Sequence, residues 1–198
     1  MISYSFYSKA IRYLQRNVFR ILFSSGFKYF GKKVSVIRPD IIEGGQYITL
    51  KDYASINSSA WLLALKQNDI EPQLIIEEGV TIGRFSHIVA LRNVVIQKNV
   101  LIADKVYISD NLHTYENITQ PIINQPIVFK NSVEIGENSW IGENVSIIGA
   151  SIGKHCVIGA NSVVTRNIPD YSVAIGSPAK VIKRYNLDTK LWINNDIK

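Results

Sequence analysis

A six-residue spacing of aliphatic side chains is the feature that most constrains this 198-residue chain. Isoleucine followed by glycine occurs at Ile135-Gly136 and Ile141-Gly142, and again at Ile152-Gly153 and Ile158-Gly159. An α-helix repeats every 3.6 residues and a strand every two, so a period of six fits neither. A fixed repeat indicates a fold in which one structural unit stacks on the next.

The spacing continues well beyond these glycines. Aliphatic residues six apart form five runs, which are Leu50 and Ile56; Ile76, Ile82 and Ile88; Ile96, Ile102 and Ile108; Ile135, Ile141 and Ile147; and Ile152, Ile158 and Val164. Alternate residues of a strand face the same way, so the small or apolar residues two positions earlier are predicted to point inward as well. They are Ala54, Leu74, Val80, Val100, Val106, Val133, Cys156 and Ser162. Residues that tolerate a positive φ follow three positions later, where a corner is needed: Gly79, Asn99, Asn138, Asn144 and Asn161. The pattern predicts the coils of a triangular prism.

A regular prism offers no functional site, so function is expected where the spacing fails. The two long interruptions are residues 57–73 and 109–134. Long loops inside a compact domain are usually functional or disordered, and the prolines, the tyrosine and the histidine of the second loop favour an ordered one. His113 lies near the start of the second loop, and imidazole is well suited to act as a general base near neutral pH. Asp110 and Glu116 flank it, and either carboxylate could orient the ring.

Four motifs carry a family resemblance. They are Ile108-Ser-Asp110-Asn111-Leu-His113, Trp140-Ile-Gly142, IGANSVVTRNIP (158–169) and GSPAKVIK (176–183). The chain resembles the hexapeptide-repeat acetyltransferases, most closely the O-acetyltransferases of bacterial O-antigen and capsule polysaccharides. The resemblance implies an all-β solenoid, a left-handed parallel β-helix of hexapeptide repeats over residues 34–183. Parallel crossovers are otherwise right-handed, so the hand comes from the family alone.

The resemblance also implies a reaction. His113 would take the proton from a sugar hydroxyl while that oxygen attacks the thioester of acetyl-CoA. Trp140 would form a wall of the site, and a backbone N–H near Trp140 or Gly142 would stabilise the oxyanion. Asn111 stands where many relatives have a second histidine; near the acceptor it could form a hydrogen bond but could not titrate.

The remaining implied roles concern the acetyl donor and assembly. The residues that the resemblance assigns to CoA are Gly142, Ala160, Thr165, Arg166, Lys180 and Lys183. No metal is implied. Members of the family are homotrimers with a site between adjacent subunits, so a homotrimer that binds a sugar or polysaccharide acceptor is expected.

Both segments outside the repeat are predicted to be helical, and the N-terminal one is strongly basic. Residues 1–33 are predicted to be an amphipathic helical arm, with a helix over 4–24, and 184–198 a short helical tail. Residues 1–34 contain seven basic residues and no acid, which leaves 15 bases against 16 acids in the rest. The arm is expected to cap the open end of the prism, to pack on a neighbouring subunit, or to contact an anionic membrane. The neutral body argues against a nucleic-acid partner.

Several functions remain open at this point. Acetylation of a surface-polysaccharide sugar or its lipid-linked precursor is the leading prediction, and N-acetylation of a nucleotide-linked amino sugar or another small acceptor is the alternative. A non-catalytic scaffold would not need His113. A γ-class carbonic anhydrase would need three ligating histidines, and His87, His113 and His155 lack close paired spacing. The expected location is the cytoplasm, with peripheral contact at the inner face of the cell membrane as a further option.

Overall fold

The computed structural model describes residues 3–195, which begin with one helix. Helix α1 (Tyr4–Phe23) starts where the Ser3 side chain accepts a hydrogen bond from the Phe6 N–H at 3.2 Å, as expected for a serine N-cap. The prediction of a helix over 4–24 is confirmed. Near its end, Phe19 packs against the core, and Arg20 donates to the Gly31 carbonyl at 2.8 Å.

Three parallel sheets, here A, B and C, follow the helix, and the chain visits them in rotation. One passage through A, B and C is called a coil. In order, the coils contain β1 (Tyr29–Phe30), β2 (Ser35–Val36) and β3 (Ile41–Glu43); β4 (Ile48–Leu50), β5 (Ser55–Ile56) and β6 (Trp61–Ala64); β7 (Gln73–Ile76), β8 (Thr81–Ile82) and β9 (His87–Ala90); and β10 (Asn93–Ile96), β11 (Leu101–Ile102) and β12 (Tyr107–Ser109).

A hairpin interrupts the rotation after the fourth coil. Its strands, β13 (Asn111–His113) and β14 (Ile127–Phe129), are antiparallel. The rotation resumes with β15 (Val133–Ile135), β16 (Trp140–Ile141) and β17 (Ser146–Ile148), then with β18 (Val157–Ile158), β19 (Val163–Val164) and β20 (Ser172–Gly176). Single bridges at Ile152 and Ile168 continue sheet A. The last strands, β21 (Ala179–Asn186) and β22 (Leu191–Asn194), extend sheet B in antiparallel pairs. Short 3₁₀ helices occur at Ser24–Gly26, Gly45–Tyr47 and Ile122–Asn124.

The predicted inward positions are confirmed. Every residue of the five aliphatic runs, and every inward residue two positions earlier, is 2 % exposed or less. Each such Ile or Leu contributes roughly 1.5–3 kcal/mol through burial. Cys156 belongs to this core, where burial raises the pKa of its thiol. The predicted corner residues all have positive φ, from 56° at Asn99 to 71° at Gly79.

Three predicted boundaries are wrong. The part of the tail that the structure describes, residues 184–195, contains no helix, because β21 and β22 complete the edge of sheet B; the Tyr185 N–H donates to the Tyr171 carbonyl at 2.9 Å. The interruption predicted at 57–73 is shorter: β6 is a regular strand of sheet C whose Leu62 is fully buried, so only residues 65–72 leave the coil. Sheet A also begins before residue 34, since β1 pairs with β4.

Candidate functional site

A buried carboxylate holds the corner from which the long insertion departs. Asp110 follows β12 and has no exposed surface. One carboxylate oxygen accepts from the Leu91 N–H at 2.8 Å, and the other accepts from the Arg92 and Asn93 N–H groups at 2.7 and 2.8 Å. The side-chain amide of Asn111 donates the fourth bond at 2.8 Å. The carboxylate therefore joins the corner of the fourth coil to the corner of the third.

This arrangement corrects the prediction that Asp110 orients the imidazole. A carboxylate has about four acceptor positions, and here all four are used. Glu116 forms no hydrogen bond with the ring among residues 3–195; one of its carboxylate oxygens accepts from the N–H of Tyr115 at 3.0 Å. The side chain of Asn111 is buried, and its NH₂ group donates to Asp110. Contact with the acceptor substrate would therefore involve its side-chain carbonyl oxygen or the second N–H.

His113 ends the first strand of the hairpin and is exposed. It pairs with Ile127, whose carbonyl accepts a 2.8 Å hydrogen bond from the Gln67 side chain in the 65–72 excursion. At the base of the hairpin, the Arg92 guanidinium lies 4.6 Å from the centre of the Phe129 ring. The two interruptions that the sequence analysis identified thus brace one another, and they present an accessible imidazole from an ordered loop.

The backbone N–H groups of Trp140 and Gly142 already form hydrogen bonds within the fold. The Trp140 N–H donates to the Cys156 carbonyl and the Gly142 N–H to the Ile158 carbonyl, both at 2.8 Å. These bonds belong to the ladder of sheet B and hold successive coils together. Neither of these two amides is free to stabilise an oxyanion, and a donor N–H from a residue next to them stays a prediction.

The predicted site residues fall into two groups on opposite sides of the core. One group lies at the junction of sheets C and A: Asp110, Asn111, His113, Glu116, Thr165 and Arg166. The other lies on sheet B or at the corner that follows it: Trp140, Gly142, Ala160, Lys180 and Lys183. In a three-sided fold, the junction of C and A is across the core from B. Within one chain the structure therefore does not bring His113 and Trp140 together.

The sheet B group forms a continuous strip. Pairing places Trp140 beside Val157, Val157 beside Val173, and Val173 beside Lys183. Trp140 is half exposed on the outer face. At the next corner, Gly142 lies so close to its neighbour that an added Cβ would be 2.7 Å from the Ala160 nitrogen. Apolar side chains thus connect an exposed indole to an exposed lysine.

One feature was missed by the sequence analysis. Trp61, His87 and Tyr107 form a column on the outer face of sheet C, with ring centres 4.7 Å apart for the first pair and 5.4 Å for the second. Burial lowers the pKa of His87. The three residues lie on different coils and are separated by 26 and 20 positions in the sequence, so no local motif indicates the column.

Comparison with known proteins gives consistent similarities. A family model described as the hexapeptide repeat of succinyl-transferase matches residues 132–166. A protein of Mycobacterium tuberculosis that carries the name acetyltransferase is 34 % identical over 170 residues, which are 84 % of this chain and 53 % of that protein. A protein of Escherichia coli that carries the name lipopolysaccharide biosynthesis O-acetyl transferase WbbJ is 52 % identical over 63 residues, 31 % of this chain and 32 % of that protein. The matches cover about half or less of these relatives.

Solved structures share the fold at lower sequence identity. AntD, an N-acyltransferase from Bacillus cereus in complex with dTDP and 3-hydroxybutyryl-CoA, aligns with a TM-score of 0.71 and 17 % identity, and the alignment covers 86 % of this chain and 89 % of that one. A hexapeptide-repeat acetyltransferase from Vibrio cholerae aligns with a TM-score of 0.58 and 19 % identity, over 90 % and 92 % of the two chains.

Residues 3–195 contain neither a membrane-spanning helix nor a metal-ligand cluster. No helix in that range has the length and hydropathy needed to cross a bilayer. No three His, Cys, Asp or Glu side chains in the same range are grouped as metal ligands would be. The repeat, the sheets and the sequence similarities are together those of the hexapeptide-repeat acetyltransferases.

Proposed function

We propose that this protein transfers acetyl from acetyl-CoA to a hydroxyl of a bacterial surface-polysaccharide sugar, of the O-antigen or capsule type, or of its lipid-linked precursor. The observation that carries the proposal is the exposed His113 on a hairpin anchored by the buried Asp110. The similarity to the E. coli protein named as a lipopolysaccharide O-acetyl transferase supports the choice of acceptor. A left-handed winding of the three sheets is part of the proposal.

The reaction needs one base, which first accepts a proton from the sugar hydroxyl and then returns a proton to the leaving sulfur. The neutral His113 ring accepts the hydroxyl proton as the sugar oxygen bonds to the thioester carbon. The tetrahedral intermediate then collapses, the C–S bond breaks, and the leaving sulfur takes the proton from the imidazolium. General-base assistance of this kind is typically worth about 10²–10⁴ in rate. Because the ladder uses the Trp140 and Gly142 amides, the oxyanion donor must be another group.

The separation of the two residue groups favours a site shared between copies. A cyclic assembly brings different faces of adjacent subunits together. In a homotrimer, His113 from the edge between sheets C and A of one copy would face the sheet B strip of the next. CoA would lie against that strip, with Ala160 leaving room for pantetheine, and Lys180 and Lys183 meeting the phosphates. Thr165 and Arg166, on the same edge as His113, would approach CoA from the other copy.

The helical arm is proposed to contact anionic membrane from the cytoplasmic side. Tyr7, Leu14 and Ile21 recur every seven residues along α1 and are 57 %, 59 % and 79 % exposed, and the arm carries no acid. Apolar surface combined with positive charge is typical of interfacial helices. Flotation with anionic liposomes tests this contact with an Arg12→Gln, Arg16→Gln variant. Arg20 is left intact because it anchors the helix. Equal flotation of variant and wild type contradicts the contact.

A second function is supported by the structural similarity to AntD, which is an N-acyltransferase solved with dTDP. Acyl transfer to an amino sugar would use the same base. The two functions are separated by acetyl-CoA turnover assays against lipid-linked oligosaccharides and against nucleotide-linked amino sugars. The proposal predicts turnover with the first panel, and a loss of about 10²–10⁴ in kcat/KM in His113→Ala. His155→Ala, at an exposed corner, is the control. Turnover with the second panel alone would establish the alternative.

A further inference from the structure

The aromatic column on sheet C leads directly to the proposed base. Trp61, His87 and Tyr107 occupy equivalent positions on β6, β9 and β12, and each pairs with the next. All three are half-buried on the outer face. β12 ends at Ser109, and the hairpin that carries His113 begins two residues later. The column lies at the start of these strands and the hairpin leaves at the end of β12, so both adjoin the outer face of sheet C.

An unsatisfied polar atom lies within this column. His87 Nε2 is buried and has no hydrogen-bond partner among residues 3–195. A buried polar atom without a partner costs about 1–3 kcal/mol, so a hydroxyl that reaches it when a flanking ring shifts would be stabilised there. Burial lowers the pKa of His87, which keeps the ring neutral, with one nitrogen that donates and one that accepts.

The carboxylate of Asp40 adds a second polar group, beside Trp61 at one end of the column. Trp61 Nε1 donates to one oxygen of Asp40 at 3.0 Å. This bond fixes the indole and leaves the other carboxylate oxygen able to accept from a hydroxyl. Adjacent strands are about 4.8 Å apart, so three rings on successive coils extend over roughly 10 Å. The surface therefore combines aromatic area with polar atoms at its edges, over the length of one or two sugar rings.

These features match the chemistry of a pyranose, which has apolar C–H faces and a rim of hydroxyls. Ligand sites commonly pair aromatic side chains with a few placed polar groups. We propose that Trp61, His87 and Tyr107 form the platform that binds the sugar unit of the acceptor beside His113. The inference deepens the proposed function and rests on it. A neighbouring copy packed on the same face is the competing occupant.

The test follows the His87 ring by ¹H–¹³C NMR, without acetyl-CoA. The three histidines are assigned from single His→Phe variants. The probes are methyl hexopyranosides, dTDP-glucose, and dTDP alone. The proposal predicts a saturable shift of the His87 signal with at least one methyl glycoside, or with dTDP-glucose beyond that caused by dTDP. Trp61→Ala should weaken this binding about tenfold through loss of an aromatic contact.

Tyr171→Ala, in the aromatic cluster at the other end of the fold, is the matched control and should leave sugar binding unchanged. A native-like amide spectrum confirms that each variant is folded. Three results would overturn the proposal: no sugar-dependent shift at His87, an equal shift with dTDP alone, or a shift that follows protein concentration instead of sugar. Sugar binding without acetyl transfer would count against the proposed function alone, and transfer without binding at His87 would count against the platform alone.

Discussion

The regular coils and the insertion at residues 110–132 both turn the chain from one sheet to the next, but they do so by different means. In the coils, most corners are short and contain a residue with positive φ, and some neighbouring corners are linked by side-chain amides. Asn144, for example, donates to Asn161 at 2.8 Å. At the insertion, one buried carboxylate collects four hydrogen bonds. In the coils, many similar corners share the stabilisation, whereas the corner at the insertion depends on the single side chain of Asp110.

The comparison also explains where chemistry can occur. Backbone amides in the coils are used by the ladders, as the Trp140 and Gly142 N–H groups show. Reactive groups must therefore come from outward side chains or from a segment that has left the ladder. His113 is in such a segment, and Trp140 is an outward side chain on the far side of the core.

The largest stability effect is expected at the insertion. Asp110→Ala leaves three backbone N–H groups without their acceptor; that of Leu91 is buried and those of Arg92 and Asn93 are partly buried. A buried loss costs about 1–3 kcal/mol and a partly buried one less, so the free energy of unfolding should fall by about 3 kcal/mol. Asp110→Asn should not restore it, because its NH₂ group would face N–H donors. Urea unfolding measures both variants; a loss below about 1 kcal/mol would show that the carboxylate does not hold the corner.

A smaller effect is expected at a regular corner. Asn144→Ala removes one exposed hydrogen bond and replaces Asn by a residue that adopts φ 58° less readily. The expected loss in the free energy of unfolding is about 1–2 kcal/mol. Asn144→Gly keeps the backbone conformation accessible and should be the more stable of the two variants. Equal losses in Asn144→Ala and Asp110→Ala would remove the distinction between redundant coils and an anchored insertion.

The sequence predicts the structural features that every coil repeats. It does not predict the features that depend on partners distant in the chain. Inward positions and corners were predictable because each coil imposes the same size and φ on equivalent residues. The role of Asp110 was not, since its backbone partners lie 17 to 19 residues earlier in the chain. The strands of the tail were not predicted, because they follow no repeat and form where sheet B offers an open edge.

The separation of His113 and Trp140 was also invisible in the sequence. The two residues are 27 positions apart, and the family motif names both. Only the rotation through the sheets shows that one lies at the junction of C and A and the other on B. The central claim is therefore that a complete site needs His113 from one copy and Trp140 from another.

Subunit complementation tests this claim most directly. His113→Ala and Trp140→Ala proteins are each assayed for acetyl transfer, then unfolded together, refolded as mixed assemblies and assayed again. If the site is shared, some mixed assemblies contain an interface with both native residues, and activity should rise well above that of either variant alone. Activity in the mixture no greater than the average of the two variants refolded separately would contradict the shared site.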